Sequence, residues 1–219
     1  MKARILPILL ILSIVFFKSQ AQINKGSIFL GGQVSYYNQA ASSPQVANQT
    51  TNNNQFNFTP AIGKAIKNNL IVGVDLTYVY TKTLTTNYPY NQITNTFGAG
   101  VFMRRYVPIG KGFYVFGQGR IGGTFNTGKI KQGDPEFDDD IKGYTVSFGF
   151  YPGISYQVSK RVHLETGFNN LFYIEYDHTR DNQTNAGVLT DIKTHTFSAG
   201  TSLNNIAAFT LGIRVLLSK

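Results

Sequence analysis

The chain has 219 residues, with 20 Lys and Arg against 11 Asp and Glu, a formal net charge of +9, and neither cysteine nor tryptophan. The missing cysteine excludes a disulfide framework, a thiolate metal site, a cysteine nucleophile and a lipid-modified cysteine at a processing site. Charged residues make up only 14% of the chain, aromatic residues another 14%, and no stretch of 18 apolar residues follows the first 17, so any membrane crossing after that point has to use strands and not helices.

The amino terminus reads as an export signal. Lys2 and Arg4 precede an apolar run from Ile5 to Phe17, and Ser19-Gln20-Ala21 supplies small residues for cleavage. Residues 1–21 are the expected signal peptide and residues 22–219 a single expected domain. Without Lys2, Arg4 and Lys18, 17 basic residues face 11 acidic ones. That excess suggests an anionic neighbour; because the basic residues form no run and the chain is exported, lipid phosphates or cell-wall polymer fit better than nucleic acid.

Eight segments alternate apolar and small polar residues: Ile28 to Tyr37, Phe56 to Lys64, Leu70 to Thr81, Ile93 to Tyr106, Phe113 to Thr127, Tyr144 to Gln157, Val162 to Tyr176 and Ile206 to Leu217. Period two predicts strands. In the third, Leu70, Val72, Val74, Leu76, Tyr78 and Tyr80 fall on one face, against Gly73, Asp75, Thr77 and Thr81 on the other. A soluble sandwich would carry many Lys and Glu residues on its polar face; here that face is mostly Gly, Ser, Thr, Asn and Gln, so it is expected to be enclosed. Thr194 to Leu203 also alternates, which lets the last strand start early and carry a bulge.

Long and short connections take turns. The expected long links are Asn38 to Asn53, Thr83 to Gln92, Gly128 to Lys142 and His178 to Lys193; the short ones fall near Ala65 to Asn68, Val107 to Lys111 and Val158 to Arg161. This is the rhythm of an all-β, eight-stranded antiparallel up-and-down transmembrane β-barrel, with short turns and both termini in the periplasm of a Gram-negative bacterium and long loops outside.

Two stretches, GVFMRRYVPIGKGFYVFGQGRIG (Gly100 to Gly122) and FYPGISYQVSKRVHLETGF (Phe150 to Phe168), resemble the small outer-membrane β-barrel domain family related to OmpA and OmpX. Phe102, Arg104 or Arg105, Tyr106 and Pro108 match its aromatic-Arg-Tyr strand end and Pro-containing turn; Pro152, Gly153 and Tyr156 match its Pro-Gly-aromatic strand. The resemblance implies the outer membrane as location, and the barrel assembly machinery as a partner. Members usually end in an aromatic residue, whereas this chain ends Val215-Leu216-Leu217-Ser218-Lys219.

By phase, Asp75, Arg104, Arg120, Glu165 and Arg214 face inward. In a barrel just wide enough for side chains, they are expected to pair into a structural network that fills the lumen. Gly117-Gln118-Gly119-Arg120-Ile121-Gly122 spells the dinucleotide fingerprint, but no helix follows it, so the glycines read as room for bulky neighbours. The run Asp134 to Asp140 is expected to be a solvated acidic loop or to share a cation with lipopolysaccharide; Asp138, Asp139 and Asp140 are weak metal candidates. His178 and His195, with Asp177, Asp181, Asp191 and nearby Ser198, are the groups a lipid-modifying enzyme would use, although no local motif joins them. Tyr36, Tyr78, Tyr80, Tyr106, Tyr114, Tyr156 and Tyr176 are expected to form interfacial girdles.

The expected function is therefore a structural or adhesive outer-membrane barrel with a filled lumen, no cofactor and no catalysis. Its expected partners are membrane lipids, lipopolysaccharide and an unidentified external ligand contacted by its loops; it is expected to be a monomer. A narrow pore for ions or very small solutes is the alternative, and a lipid-modifying enzyme the third.

Overall fold

A computed structural model of the chain describes residues 23–43, 49–86, 90–131, 139–168, 171–185, 188–201 and 209–217. The expected signal peptide, the tip of the acidic run with Asp138, and the last two residues lie outside them. Ten strands follow in order: β1 (Ile28–Ser43), β2 (Gln49–Lys67), β3 (Leu70–Thr85), β4 (Tyr90–Gly110), β5 (Phe113–Lys131), β6 (Asp139–Gln157), β7 (Val162–Phe168), β8 (Phe172–Asn185), β9 (Val188–Gly200) and β10 (Phe209–Leu217). All pairings are antiparallel, and β1 to β6 pair in sequence. The ring closes at the turn end because β6 pairs with β7, β7 with β10, and β10 with β1.

Ten strands replace the eight expected, for a reason that periodicity cannot reveal. The seventh wall position is divided into β7 and β8, both of which pair with β6. Between the pairs Gly153↔Gly167 and Phe150↔Phe172, β6 moves three residues while its partner moves five, so the divided position contains two extra residues. An even insertion leaves inward and outward phases unchanged. β10 fills the wall between β7 and β1, whereas β9 pairs with β8 alone among the described residues; Thr194 to Gly200 thus belongs to a separate strand and is not a bulged beginning of the last one.

The expected long links are also largely strand. β1 and β2 pair as far as Ser43↔Gln49, β3 and β4 as far as Thr85↔Tyr90, and β8 and β9 as far as Asn185↔Val188. These ends are rich in Asn, Gln, Ser and Thr, so no apolar alternation marks them, yet their side chains link across the ladder: Ser42 with Thr50 and Thr51 with Thr85, both at 3.2 Å, and Tyr36 with Asn54 at 3.1 Å.

The short turns lie at the C-terminal ends of the first two expected links and are tighter than expected, because residues 65–67 belong to β2 and residues 107–110 to β4. Asn69 takes a left-handed backbone (φ 60°), which Asn tolerates, between β2 and β3. Lys111 (φ 47°) sits between Gly110 and Gly112, whose positive φ values of 113° and 81° suit glycine. At Val158 to Arg161, Ser159 Oγ accepts from the Val162 N–H at 3.2 Å. Residues 23–27 tuck under this end: the Ile23 N–H donates to Asn69 Oδ1 and the Asn69 N–H to the Ile23 carbonyl, both at 2.9 Å. Ile23 and Ser27 are buried there.

Candidate functional site

The strand registers put Phe29, Ile71, Phe102, Arg104, Tyr106, Tyr114, Phe116, Glu165 and Arg214 inside the ring. Phe29, Ile71, Phe102, Tyr106, Tyr114 and Phe116 join Ile23, Ala65 and Leu216 in an apolar floor at the turn end. Tyr106 and Tyr114 therefore depart from the expected girdle. They are 2% and 1% exposed and pack edge to face, with ring centroids 5.9 Å apart. The Arg-x-Tyr spacing of Arg104 and Tyr106 explains why: with period two, both must share the inward face.

Above this floor, side chains from four strands cross-link the lumen. Arg104 Nη1 donates to Glu165 Oε2 at 2.6 Å and to the Tyr106 hydroxyl at 3.0 Å, the Tyr106 hydroxyl donates to Glu165 Oε1 at 2.5 Å, and Arg104 Nε donates to Gln118 Oε1 at 2.7 Å. Arg214 Nε lies 2.9 Å from the same Glu165 oxygen, as an ion pair without a hydrogen bond, while its Nη1 donates to the Gly32 carbonyl at 2.7 Å. The Arg104 guanidinium also lies 4.4 Å from the centroid of the Phe116 ring, where its charge meets the face of the π-system. Two arginines thus share one carboxylate. Asp75 and Arg120 form a separate pair, with Nη2 to Oδ1 at 2.6 Å and Nε to Oδ2 at 2.9 Å. The five residues expected to form one lumen network all face inward but divide into two clusters, Arg104 with Glu165 and Arg214, and Asp75 with Arg120.

His163, in the same strand phase as Glu165, is a lumen residue that was not among the five expected. It faces inward, is 2% exposed, and lies with Nδ1 3.1 Å from Ser155 Oγ. Its position between Val162 and Leu164 on an alternating strand carries the signal that finds it.

Over the cross-link lies a cavity of about 230 Å³ lined by Gln33, Thr59, Thr77, Thr124 and Ser147 together with Asp75 and the three arginines. Nearer the loop end, Asp139 and Asp181 face inward beside Tyr90. Burial, and then these two carboxylates, push the Tyr90 phenol above its usual range. Asp139 and its neighbour Asp140 point to opposite faces, one buried and one exposed, and among the described residues no group of three or more His, Cys, Asp or Glu side chains is arranged to hold a metal ion.

The candidate catalytic groups are split between the two faces, with Asp191 in the outer phase of the two histidines and Asp181 in the inner one. His178 and His195 face each other on the outer surface, Nδ1 to Nδ1 3.3 Å, and the Tyr176 hydroxyl lies 2.7 Å from His195 Nδ1. Asp177 and Ser198 lie in the opposite strand phase, Ser198 across from Glu175 and Asp177 bonded to Thr145. No nucleophile–base pair forms from them.

The outer surface is apolar over a defined height. On β6 the outward residues run Tyr156, Ile154, Pro152, Phe150, Phe148, Val146 and Tyr144. At about 3.3 Å per residue and a tilt of about 40°, this run rises about 30 Å along the barrel axis, close to a hydrocarbon core. Aromatic pairs bound it at both ends: Phe113 with Tyr156, 4.5 Å between centroids, and Tyr144 with Tyr176, 6.3 Å.

Comparison with known proteins finds no matching family model and no matching curated protein. Solved structures of similar chain path include Neisserial surface protein A (15% identity, 87% of this chain and 99% of that one, TM-score 0.41). The outer membrane protein OprG from Pseudomonas aeruginosa (9% identity, 90% and 98%, TM-score 0.47) is another. A third is the translocator domain of the autotransporter NalP from Neisseria meningitidis (10% identity, 99% and 95%, TM-score 0.40).

Proposed function

We propose that the chain is an outer-membrane β-barrel protein whose lumen is closed by side chains and whose loop-end hairpins make its contacts outside the cell. Supporting the location are the apolar band with its aromatic borders and the placement of the buried charges inside the ring, since lipid-facing strand positions exclude charge at mid-depth. The observation that carries the closed-lumen reading is the Arg104–Glu165–Arg214 cross-link over the floor of packed rings: its three charged side chains are at most 4% exposed, which supports a lumen blocked at that level. The role that follows is structural or adhesive, with the short turns in the periplasm.

The polar cavity above the cross-link favours a narrow pore as second reading, in which the salt bridges would part to admit an ion. Refolded protein in planar bilayers separates the two. The closed-lumen reading expects no steady conductance steps; reproducible single-channel steps would overturn it.

A further inference from the structure

Read outward along β6, β8 and β9, the lipid-facing positions form successive cross-strand rows. Phe148, Ile174 and Ala199 form one row; Val146, Tyr176 and Phe197 the next; then Tyr144, His178 and His195. The row beyond these is Lys142, Arg180 and Lys193, and the row beyond that Asp140, Asn182 and Asp191. The order from mid-band outward is therefore aliphatic and aromatic, then imidazole, then cationic, then acidic.

Three cations directly opposed across neighbouring strands repel one another, and a sheet does not stabilise itself that way. Asp191 offsets part of this: Arg180 Nε donates to Asp191 Oδ1 at 2.9 Å, and Lys193 Nζ lies 3.8 Å from Asp191 Oδ2. These pairs are open to solvent, with Arg180 52% and Lys193 58% exposed, so they fix little. Lys129 stands opposite Asp140 on β5 and balances it. Counting Asp191 against Lys142, Arg180 and Lys193, the row has an excess of two positive charges directly above the aromatic border.

An anion that approaches from the membrane side reaches this row before the acids beyond it. We infer that Lys142, Arg180 and Lys193 form a phosphate-binding site for the lipid A portion of lipopolysaccharide, in which acyl chains lie along Val146, Tyr176 and Phe197 while a glucosamine phosphate bridges the three cations. Each phosphate offers three strong acceptor oxygens, and the Arg180 guanidinium presents its donors as a planar fork. Lipid A is the favoured occupant because the row lies at the loop end, in the outer leaflet, and because one phosphate monoester, with a charge of about −2, matches an excess of two positive charges, which a singly charged phosphodiester headgroup does not. The site rests on the outer-membrane reading above.

The test uses the full exported chain refolded in detergent, with native mass spectrometry of complexes with bisphosphorylated lipid A, monophosphorylated lipid A and phosphatidylglycerol. Both forms of lipid A are expected to be retained better than phosphatidylglycerol, whose phosphodiester carries a single negative charge. The triple variant Lys142→Gln, Arg180→Gln, Lys193→Gln is expected to lose at least about tenfold in retention, the loss of roughly one charge-assisted hydrogen bond. Changing turn-end residues instead, as Lys67→Gln with Lys160→Gln, leaves retention unchanged. Equal retention by wild type and triple variant, or phosphatidylglycerol held as well as lipid A, would overturn the site. Flotation of wild-type protein with phospholipid vesicles isolates the underlying reading: failure to insert removes the membrane barrel itself, whereas insertion without discrimination among the lipids removes the site alone.

Discussion

Arg104 and Glu165, 61 positions apart in the chain, meet at 2.6 Å across the barrel with each side chain only 3% exposed. Glu165 is also the carboxylate that balances Arg214. Glu165→Gln would leave two arginines facing each other without a counter-charge, a loss expected to cost about 3–5 kcal/mol of stability. Urea unfolding followed by circular dichroism measures it. The volume-matched triple Arg104→Met, Glu165→Leu, Arg214→Met removes every charge together and is expected to cost far less; equal losses in both variants would refute the ion-pair account.

Close packing makes a second prediction at Gly153. A Cβ there would lie 2.5 Å from the Thr166 carbonyl oxygen and collide with the Phe116 ring, whereas at Gly119 the nearest atom is Phe148 Cε2 at 4.0 Å. Gly153→Ala is expected to destabilise the barrel by about 1–3 kcal/mol through overpacking, and Gly119→Ala to be nearly neutral. The difference between their urea midpoints is the readout.

Since the chain has no cysteine, single cysteines report on each face without background. A bimane on Val146→Cys, an outward position, is expected to be quenched by brominated lipid, and a bimane on the adjacent Ser147→Cys, which lines the lumen cavity, to be spared. Equal quenching at the two sites would contradict the alternation that places them.

Sidedness has its own test. In intact cells a membrane-impermeant maleimide is expected to label Ala41→Cys, exposed near the loop end of β1, and to leave Lys160→Cys, in the turn before β7, unlabelled until the outer membrane is permeabilised. The reverse pattern would invert the orientation.

The apolar part of the fold was legible because its alternation is continuous: the outward residues of β3 and β6 and all five inward charges follow from phase alone. Two properties escaped. The divided seventh wall position contains two additional residues, an even number, which preserves the phase that sequence reading depends on. The loop-end extensions are polar on both faces, so a ladder built of Asn, Thr and Gln gives no periodic signal. At the site itself, Tyr106 and Tyr114 looked like interfacial anchors by residue type, yet strand parity commits them to the lumen, where the Tyr106 hydroxyl completes the Glu165 hydrogen bonds. The cationic row on β6, β8 and β9 was hidden because its members lie far apart in sequence and meet only through register.

The continuation of β1 and β2 as paired strands up to Ser43 and Gln49 sets the terms on which the exposed part of the molecule can diversify. Point substitutions there exchange one displayed side chain for another at little cost, but a single-residue insertion would transpose every later residue to the opposite side and break the matched Tyr36–Asn54 and Ser42–Thr50 contacts. Length variation among variants should therefore concentrate at the hairpin apices, and a foreign epitope grafted for surface display belongs between Ser43 and Gln49, not within either arm.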